Sequence, residues 1–224
     1  MTAPGPTQDA YRRPILERLL GFLGLFRART PIRDAQGLAD FIDQHAAFLM
    51  QKGIYEYSRA RAGHYAKVLF RESGFQTAVE ESRWRAYPLG LAMVAELVEG
   101  VLRPHGADRH LQLDALSALV LGVFDRYPVP AALGEQTWSE ARAELARRLQ
   151  LIGLHAPKRA FDICEPWTDT YFNLMPIYEK LRRPDYPTIR NYLRVTLCNI
   201  HDEFTKRLDA TAVAAALRAD YNVR

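Results

Sequence analysis

The sequence predicts an all-α fold: a single bundle-like domain of about nine helices behind an amphipathic N-terminal arm. Three observations lead there. Apolar residues recur at three- and four-residue spacings through most of the 224 positions. No segment keeps a sustained apolar–polar alternation between turn residues, so strands have no pattern to build on. Hydrophobic residues make up 48% of the chain and charged residues 25%, ordinary values for a protein with a real core. There is no internal repeat and no low-complexity tract.

The arm covers residues 1–33 and the helical domain residues 34–224. Residues 1–10, MTAPGPTQDA, lack an apolar pattern and read as disordered. In the following RRPILERLLGFLGLFRAR, Ile15, Leu16, Leu19, Leu20, Phe22, Leu23 and Phe26 recur at helical spacing. Arg12, Arg13, Arg18, Arg27 and Arg29 take the other side or the ends. An apolar face flanked by arginines suits a helix lying in the headgroup boundary of a membrane. It suits equally a helix packed on the body, the commoner use of such a face. Gly21 and Gly24 each weaken the isolated helix by ~1 kcal/mol relative to alanine, so it needs a surface to lie against.

The first helix of the body starts near Asp34. Leu38, Phe41, Ile42, His45, Phe48, Leu49, Lys52, Tyr55, Glu56 and Arg59 form one stripe, apolar in its first half and polar in its second. Gly53 marks a bend or a close helix contact, and Gly63 the helix end. A short helix follows from His64 to about Arg71. Ser73 with Gln76 makes a capping box that opens a helix through Trp84. Pro88 fits the first position of the next helix. That helix, LGLAMVAELVEGVLR, is apolar nearly all round and belongs at the centre of the domain.

Pro104 to Arg109 reads as a loop, His110 to about Arg126 as a helix and PVPAALG as a break. Thr137 with Glu140 makes a second capping box, opening a helix from Trp138 to Leu151. After a loop from Gly153 to Arg159, Glu165-Pro166 starts a helix to about Leu181 that Pro176 should kink or end. Asp185 to Pro187 starts the last long helix, with the stripe Ile189, Tyr192, Leu193, Thr196, Leu197, Ile200, Phe204 and Leu208. Asp209 caps a short C-terminal helix.

The net charge of +4 sits entirely in residues 1–33, where six arginines face Asp9 and Glu17. The rest of the chain is balanced between acids and bases. That argues against a broad nucleic-acid face on the body, and for local attraction of the arm to anionic lipid or an acidic partner. The longest uncharged apolar runs, Ala86 to Ala95 and Ala115 to Phe124, are about half the ~20 residues a spanning helix needs. Glu17 and Arg18 interrupt what would be the core of a signal peptide. Cys164 and Cys198 offer neither a disulfide framework nor metal-ligand spacing, and a reducing cytoplasm is the expected compartment.

No familiar catalytic motif is present. None of the five serines lies in G-x-S-x-G, and none begins S-x-x-K. Cys198, His201 and Asp202 lie on adjacent turns of one helix, where a thiolate could serve as a nucleophile. A small buried cysteine beside a solvated pair explains the same spacing. No Glu-x-x-His marks a bundle metal site, though Asp40, Asp43 and His45 lie close together. No metal and no cofactor is expected.

Glu96 and Glu99 on the apolar central helix need cations, since an unpaired buried carboxylate is costly. Arg103 is four residues from Glu99. The stretch Gln51 to Phe70, QKGIYEYSRARAGHYAKVLF, supplies more. The candidate binding set is therefore Tyr55, Arg59, Arg61, His64, Glu96, Glu99, Arg194 and His201. This cluster is either a structural ion-pair hub or the wall of a pocket.

The strings QKGIYEYSRARAG, SRWRAYPLGLAMVAELVEG and TIRNYLRVTLCNIHDEFTKR resemble an uncharacterised bacterial all-helical family of about this length. The likeness covers nearly the whole chain after the arm. Members sometimes carry the label "esterase" with no assigned mechanism or catalytic residue. The resemblance implies an esterase-type hydrolase with a non-standard site, for which Ser58 or Ser73 near His64 are the candidates. The residues themselves favour another reading. In it, a non-catalytic cytoplasmic binding protein docks through residues 12–29 on an anionic membrane surface, at the inner face, or on a partner.

Overall fold

The computed structural model describes residues 30–106 and 108–222. The arm helix expected over residues 12–29 lies outside them. Pro31–Arg224 form one compact unit. Among the described residues there is no strand, only an isolated parallel bridge between Ile32 and Leu208. Among the described residues seven α-helices have ten residues or more, rather than the nine expected: α1 (Ala35–Ala47), α2 (Gly53–Ala62), α3 (Ser73–Leu102), α4 (Arg109–Phe124), α5 (Gly134–Leu151), α6 (Tyr186–Arg207) and α7 (Ala210–Asn222). The π turn divides the first expected helix, two others merge into α3, the short helix expected over 64–71 shrinks to single turns, and the segment expected to run from Glu165 to Leu181 is broken. That last segment forms a 3-10 turn, a helix of six residues at Thr168–Asn173 and a single turn at Glu179–Arg182.

Asp34 caps α1 as its position predicts, its carboxylate accepting from the Gly37 N–H at 2.7 Å. Asp209 does the same for α7, accepting from Ala212 at 3.2 Å. The two capping boxes are not used. Glu72 precedes α3, and Ser73 is already inside it. α5 begins at Gly134, three residues before Thr137.

The largest departure is α3. Two expected helices are one, thirty residues long, with Pro88 in its interior. Proline there removes the N–H that would bond the Trp84 carbonyl. Packing outweighs that local cost. Trp84, Tyr87, Phe124, Tyr127 and Trp138 form a connected set of ring contacts, with centroids 4.1–5.9 Å apart. At its centre the buried Asp43 carboxylate accepts from the hydroxyls of Tyr87 at 2.8 Å and Tyr127 at 2.7 Å. Every residue from Leu91 to Glu99 is buried, and α1, α2, α4, α5 and α6 all pack on α3. The helix that reads as apolar on most faces is the centre of the domain.

Between α1 and α2 the chain makes a π-helical turn, Phe48–Lys52. Its wider spacing frees carbonyls from the usual i+4 partner. Two tyrosines supply donors. The Tyr171 hydroxyl donates to the Met50 carbonyl at 3.2 Å, and the Tyr192 hydroxyl to that of Leu49 at 3.1 Å. Gly53 makes this possible. A Cβ there would stand 2.4 Å from the Tyr171 oxygen and 2.7 Å from Tyr192 Cε1.

The π turn also rotates everything after it. The stripe expected to continue through Lys52, Tyr55, Glu56 and Arg59 does not. Ile54 and Ser58 point inward, while Tyr55, Glu56 and Arg59 are exposed. α2 ends at Gly63, whose φ of 54° lies in the left-handed region.

Candidate functional site

The candidate residues divide among several separate places. Tyr55 is exposed and meets Phe70 edge-on at 5.2 Å. Arg59 is exposed and makes no ion pair among the described residues. Arg61 pairs with Asp185 at 3.3 Å and donates to the Leu181 carbonyl. Tyr57 donates to the same Asp185 at 2.9 Å. Burial and that neighbouring carboxylate push the Tyr57 hydroxyl well above its ordinary pKa. Asp185 is thereby occupied, so it precedes α6 without capping it through its side chain. His64 is exposed against Tyr65, with ring centroids 4.0 Å apart.

Glu96 and Glu99 lie elsewhere, on the buried part of α3. Arg103 grips Glu99 through two nitrogens at 2.8 and 2.6 Å and donates to the His155 carbonyl at 2.8 Å. Glu96 takes Lys158 at 2.7 Å, and His155 Nε2 lies 3.5 Å from the same oxygen. Among the described residues, no hydrogen bond or ion pair joins either glutamate to Tyr55, Arg59, Arg61 or His64. The proposed common cluster is therefore not formed. The π turn explains half of this, by turning Tyr55 and Arg59 out to solvent.

Arg194 and His201 on α6 have partners of their own. Arg194 Nε donates to Glu165 at 2.7 Å, which Arg190 also grips, and its guanidinium lies 4.3 Å over the Phe161 ring. Hydrogen bonds from Arg190 and then Arg194 lower the Glu165 pKa. His201 faces Asp202 at 3.6 Å. Burial, then Asp202 and Asp162, raise the Cys198 thiol pKa. A raised thiol is a weaker source of thiolate, the opposite of what a nucleophile needs. Lys52 and Glu56, and Glu56 and Arg59, stand at helix-neighbour spacing but form no ion pair among the described residues, and Lys52 lies 4.8 Å over the Phe48 ring.

Neither serine is placed for ester chemistry. Ser58 is fully buried and its hydroxyl has no partner among the described residues. Ser73 is exposed at the start of α3, and neither shares a hydrogen bond with His64. No group of three or more metal-ligating side chains occurs among the described residues. Asp40 pairs with Arg126 at 2.8 Å, and Asp43 is engaged by the two tyrosines.

No family model matches the chain, and neither the curated proteins nor the solved structures yield a match. The esterase resemblance thus rests on the quoted strings alone.

Besides a pocket of about 270 Å³ lined by α1, α4 and α7, two features can bind something. One is a pocket of about 210 Å³ between α3, the end of α5 and the chain from Ile152 to Trp167. It brings Glu96, His155 and Lys158 together with Arg148, whose guanidinium lies 4.3 Å over the Trp167 ring. Lys158, His155 and Trp167 escaped the sequence reading, because a loop has no periodicity to announce which side chain turns inward; Arg148, on α5, escaped it because the ring it covers comes from that distant segment.

The other is a surface. The turn after α2 exposes Tyr65 and Val68, and the turn before α6 exposes Tyr178 and Leu181, each more than half accessible. The two turns are tied together by the bonds of Arg61 to Leu181 and Asp185. On the same segments exposed Arg59, Lys67, Arg71, Lys180 and Arg183 make no ion pair or hydrogen bond through their side chains among the described residues, and neither do exposed Glu56, Glu72 and Glu179. Most arginines elsewhere in the body are matched to carboxylates, as in Arg85–Glu81, Arg126–Asp40 and Arg142–Asp125.

Proposed function

We propose that this chain is a non-catalytic helical binding protein that docks peripherally on an anionic membrane, at the cytoplasmic face. One observation carries the reading: the unpaired cations Arg59, Lys67, Arg71, Lys180 and Arg183, which outnumber the unpaired Glu56, Glu72 and Glu179, share these segments with the exposed apolar side chains Tyr65, Val68, Tyr178 and Leu181. Ammonium and guanidinium groups left without carboxylates are free for lipid phosphates. Tyrosine suits the headgroup level, with its ring in the apolar layer and its hydroxyl wet. Val68 and Leu181 add buried area that nucleic acid would not use. The arm contributes by its sequence, with Arg12, Arg13, Arg18, Arg27 and Arg29 beside an apolar face. No helix among the described residues is long and apolar enough to cross a membrane, so contact here is interfacial.

Vesicle flotation of the full chain tests the reading. Binding should be strong on phosphatidylserine-containing vesicles, weak on phosphatidylcholine, and fall as salt rises. Each neutralised basic residue near the surface should weaken it about fivefold, so Lys67→Gln with Arg183→Gln should lose roughly 25-fold. Neutralising the five arm arginines in a separate variant measures the share of the arm. Equal, negligible binding of the full chain to both vesicle types would remove the membrane reading.

A further inference from the structure

We infer that the protein meets the bilayer at two points at once, and that Asp185 is the positioning residue that joins them. The inference rests on the membrane reading above and extends it from a surface to a mode of binding. Each of the two exposed turns is held within itself. In the turn after α2, the Phe70 ring packs edge-on between Tyr55 at 5.2 Å and Phe75 at 5.1 Å, which ties that turn to α2 and α3. In the turn before α6, the Arg182 guanidinium donates to the Met175 and Ile177 carbonyls at 2.9 Å each, just ahead of Tyr178. What remains to be fixed is one turn relative to the other.

Asp185 fixes it. Its carboxylate accepts from the Tyr57 hydroxyl at 2.9 Å and pairs with the Arg61 guanidinium at 3.3 Å, while Arg61 also donates to the Leu181 carbonyl. Tyr57 and Arg61 lie one turn apart on α2, so both reach the same carboxylate from one face. Among the described residues no other hydrogen bond or ion pair joins residues 53–72 to residues 174–185. Asp185 does not cap α6 through its side chain, so its carboxylate serves this tie alone. Arg61 is thereby neutralised and adds no net attraction for lipid. Val68 and Leu181, each more than half accessible, stand one on each of the tied turns. With the turns held in register, engagement of one presents the other to the bilayer at high effective concentration. Cutting the tie lowers the fraction of molecules whose turns are in register, and the apparent affinity falls by that fraction.

The test is flotation of the full chain with phosphatidylserine-containing vesicles. Arg61→Gln with Asp185→Asn removes one positive and one negative charge, so the net charge is unchanged, and binding should weaken about tenfold. Tyr57→Phe touches no charge and should weaken it less. Asp185→Asn alone separates positioning from charge by its sign. Loss of an acid facing anionic lipid would by itself tighten binding about fivefold, whereas loss of the tie weakens it. A matched control cuts an ion pair of similar exposure elsewhere: Arg142→Gln with Asp125→Asn should leave binding unchanged, which a general loss of stability would not. Val68→Ser and Leu181→Ser should each cost about fivefold and together about 25-fold, because both turns are engaged in the same bound state. A native chain that does not float removes the membrane reading and this inference with it. A native chain that floats, with the Arg61→Gln/Asp185→Asn variant binding as tightly or Asp185→Asn binding more tightly, overturns the tie and leaves the membrane reading standing. Val68→Ser or Leu181→Ser without effect overturns the two-point contact in the same way.

Discussion

Gly53→Ala sets two effects of opposite sign against each other. Gly53 has ordinary helical angles, φ −57° and ψ −47°. On helix propensity alone, alanine should stabilise by about 1 kcal/mol. The contacts say otherwise. The new methyl would lie 2.4 Å from the Tyr171 oxygen, where about 3.4 Å is comfortable. Tyr171 is fully buried and cannot swing into solvent. Overpacking of this kind costs about 1–3 kcal/mol. Displacing Tyr171 and Tyr192 also breaks their bonds to the π-turn carbonyls, about 1 kcal/mol each. The net loss is about 3 kcal/mol, which for a chain of this length lowers Tm by roughly 6–12 °C. Urea denaturation and thermal melting measure it. Gly122→Ala is the control, since a Cβ there meets nothing within 4 Å, and it should gain up to about 1 kcal/mol. Tyr171→Phe added to Gly53→Ala should recover part of the loss. A Gly53→Ala protein as stable as the native one would refute the account of two tyrosines clasping the turn.

Two further predictions concern buried polar groups. Glu203 lies 3.8 Å from His45 Nε2 and accepts from Arg207 at 2.8 Å, and these two neighbours lower its pKa from 4.5 to about 2. A lowered carboxylate contributes stability above its unfolded pKa and loses it as pH falls towards the folded value. Glu203→Gln should therefore cost about 1–2 kcal/mol at pH 6, after allowance for solvent screening, and almost nothing near pH 2. Urea midpoints at the two pH values decide it, and an equal gap at both would contradict the linkage. Ser58→Ala removes a buried hydroxyl with no partner and should stabilise the protein by about 1 kcal/mol. Any hydrolysis of p-nitrophenyl esters should be unchanged in that variant, and a loss of turnover would restore the esterase reading.

What could be read from the sequence was whatever is local or periodic. The apolar stripes of α1 and α6, the caps at Asp34 and Asp209, the buried centre of α3 and the Glu99–Arg103 pair all follow from residues within a turn or two of each other. What could not be read depends on distant partners. Pro88 stays inside α3 because aromatic rings from α4, α5 and the intervening segment pack beside it. The π turn leaves no pattern of its own, and the hydroxyls that stabilise it come from Tyr171 and Tyr192, more than a hundred residues downstream. Glu96 asked for a cation, but Lys158 and His155 sit in a loop, where spacing carries no information about direction.

The π turn has a consequence for how this gene can vary. Insertions and deletions are usually thought of as changes in loop length. Here a helix absorbs the change instead. A π turn carries one extra residue through about the rotation that one residue fewer would cover in an α-helix. Removing one residue from Phe48–Lys52 would restore ordinary α-helical winding and leave Ile54 and Ser58 facing the core. A lineage that lost that codon would keep the face of the following helix and lose the carbonyls that Tyr171 and Tyr192 bond.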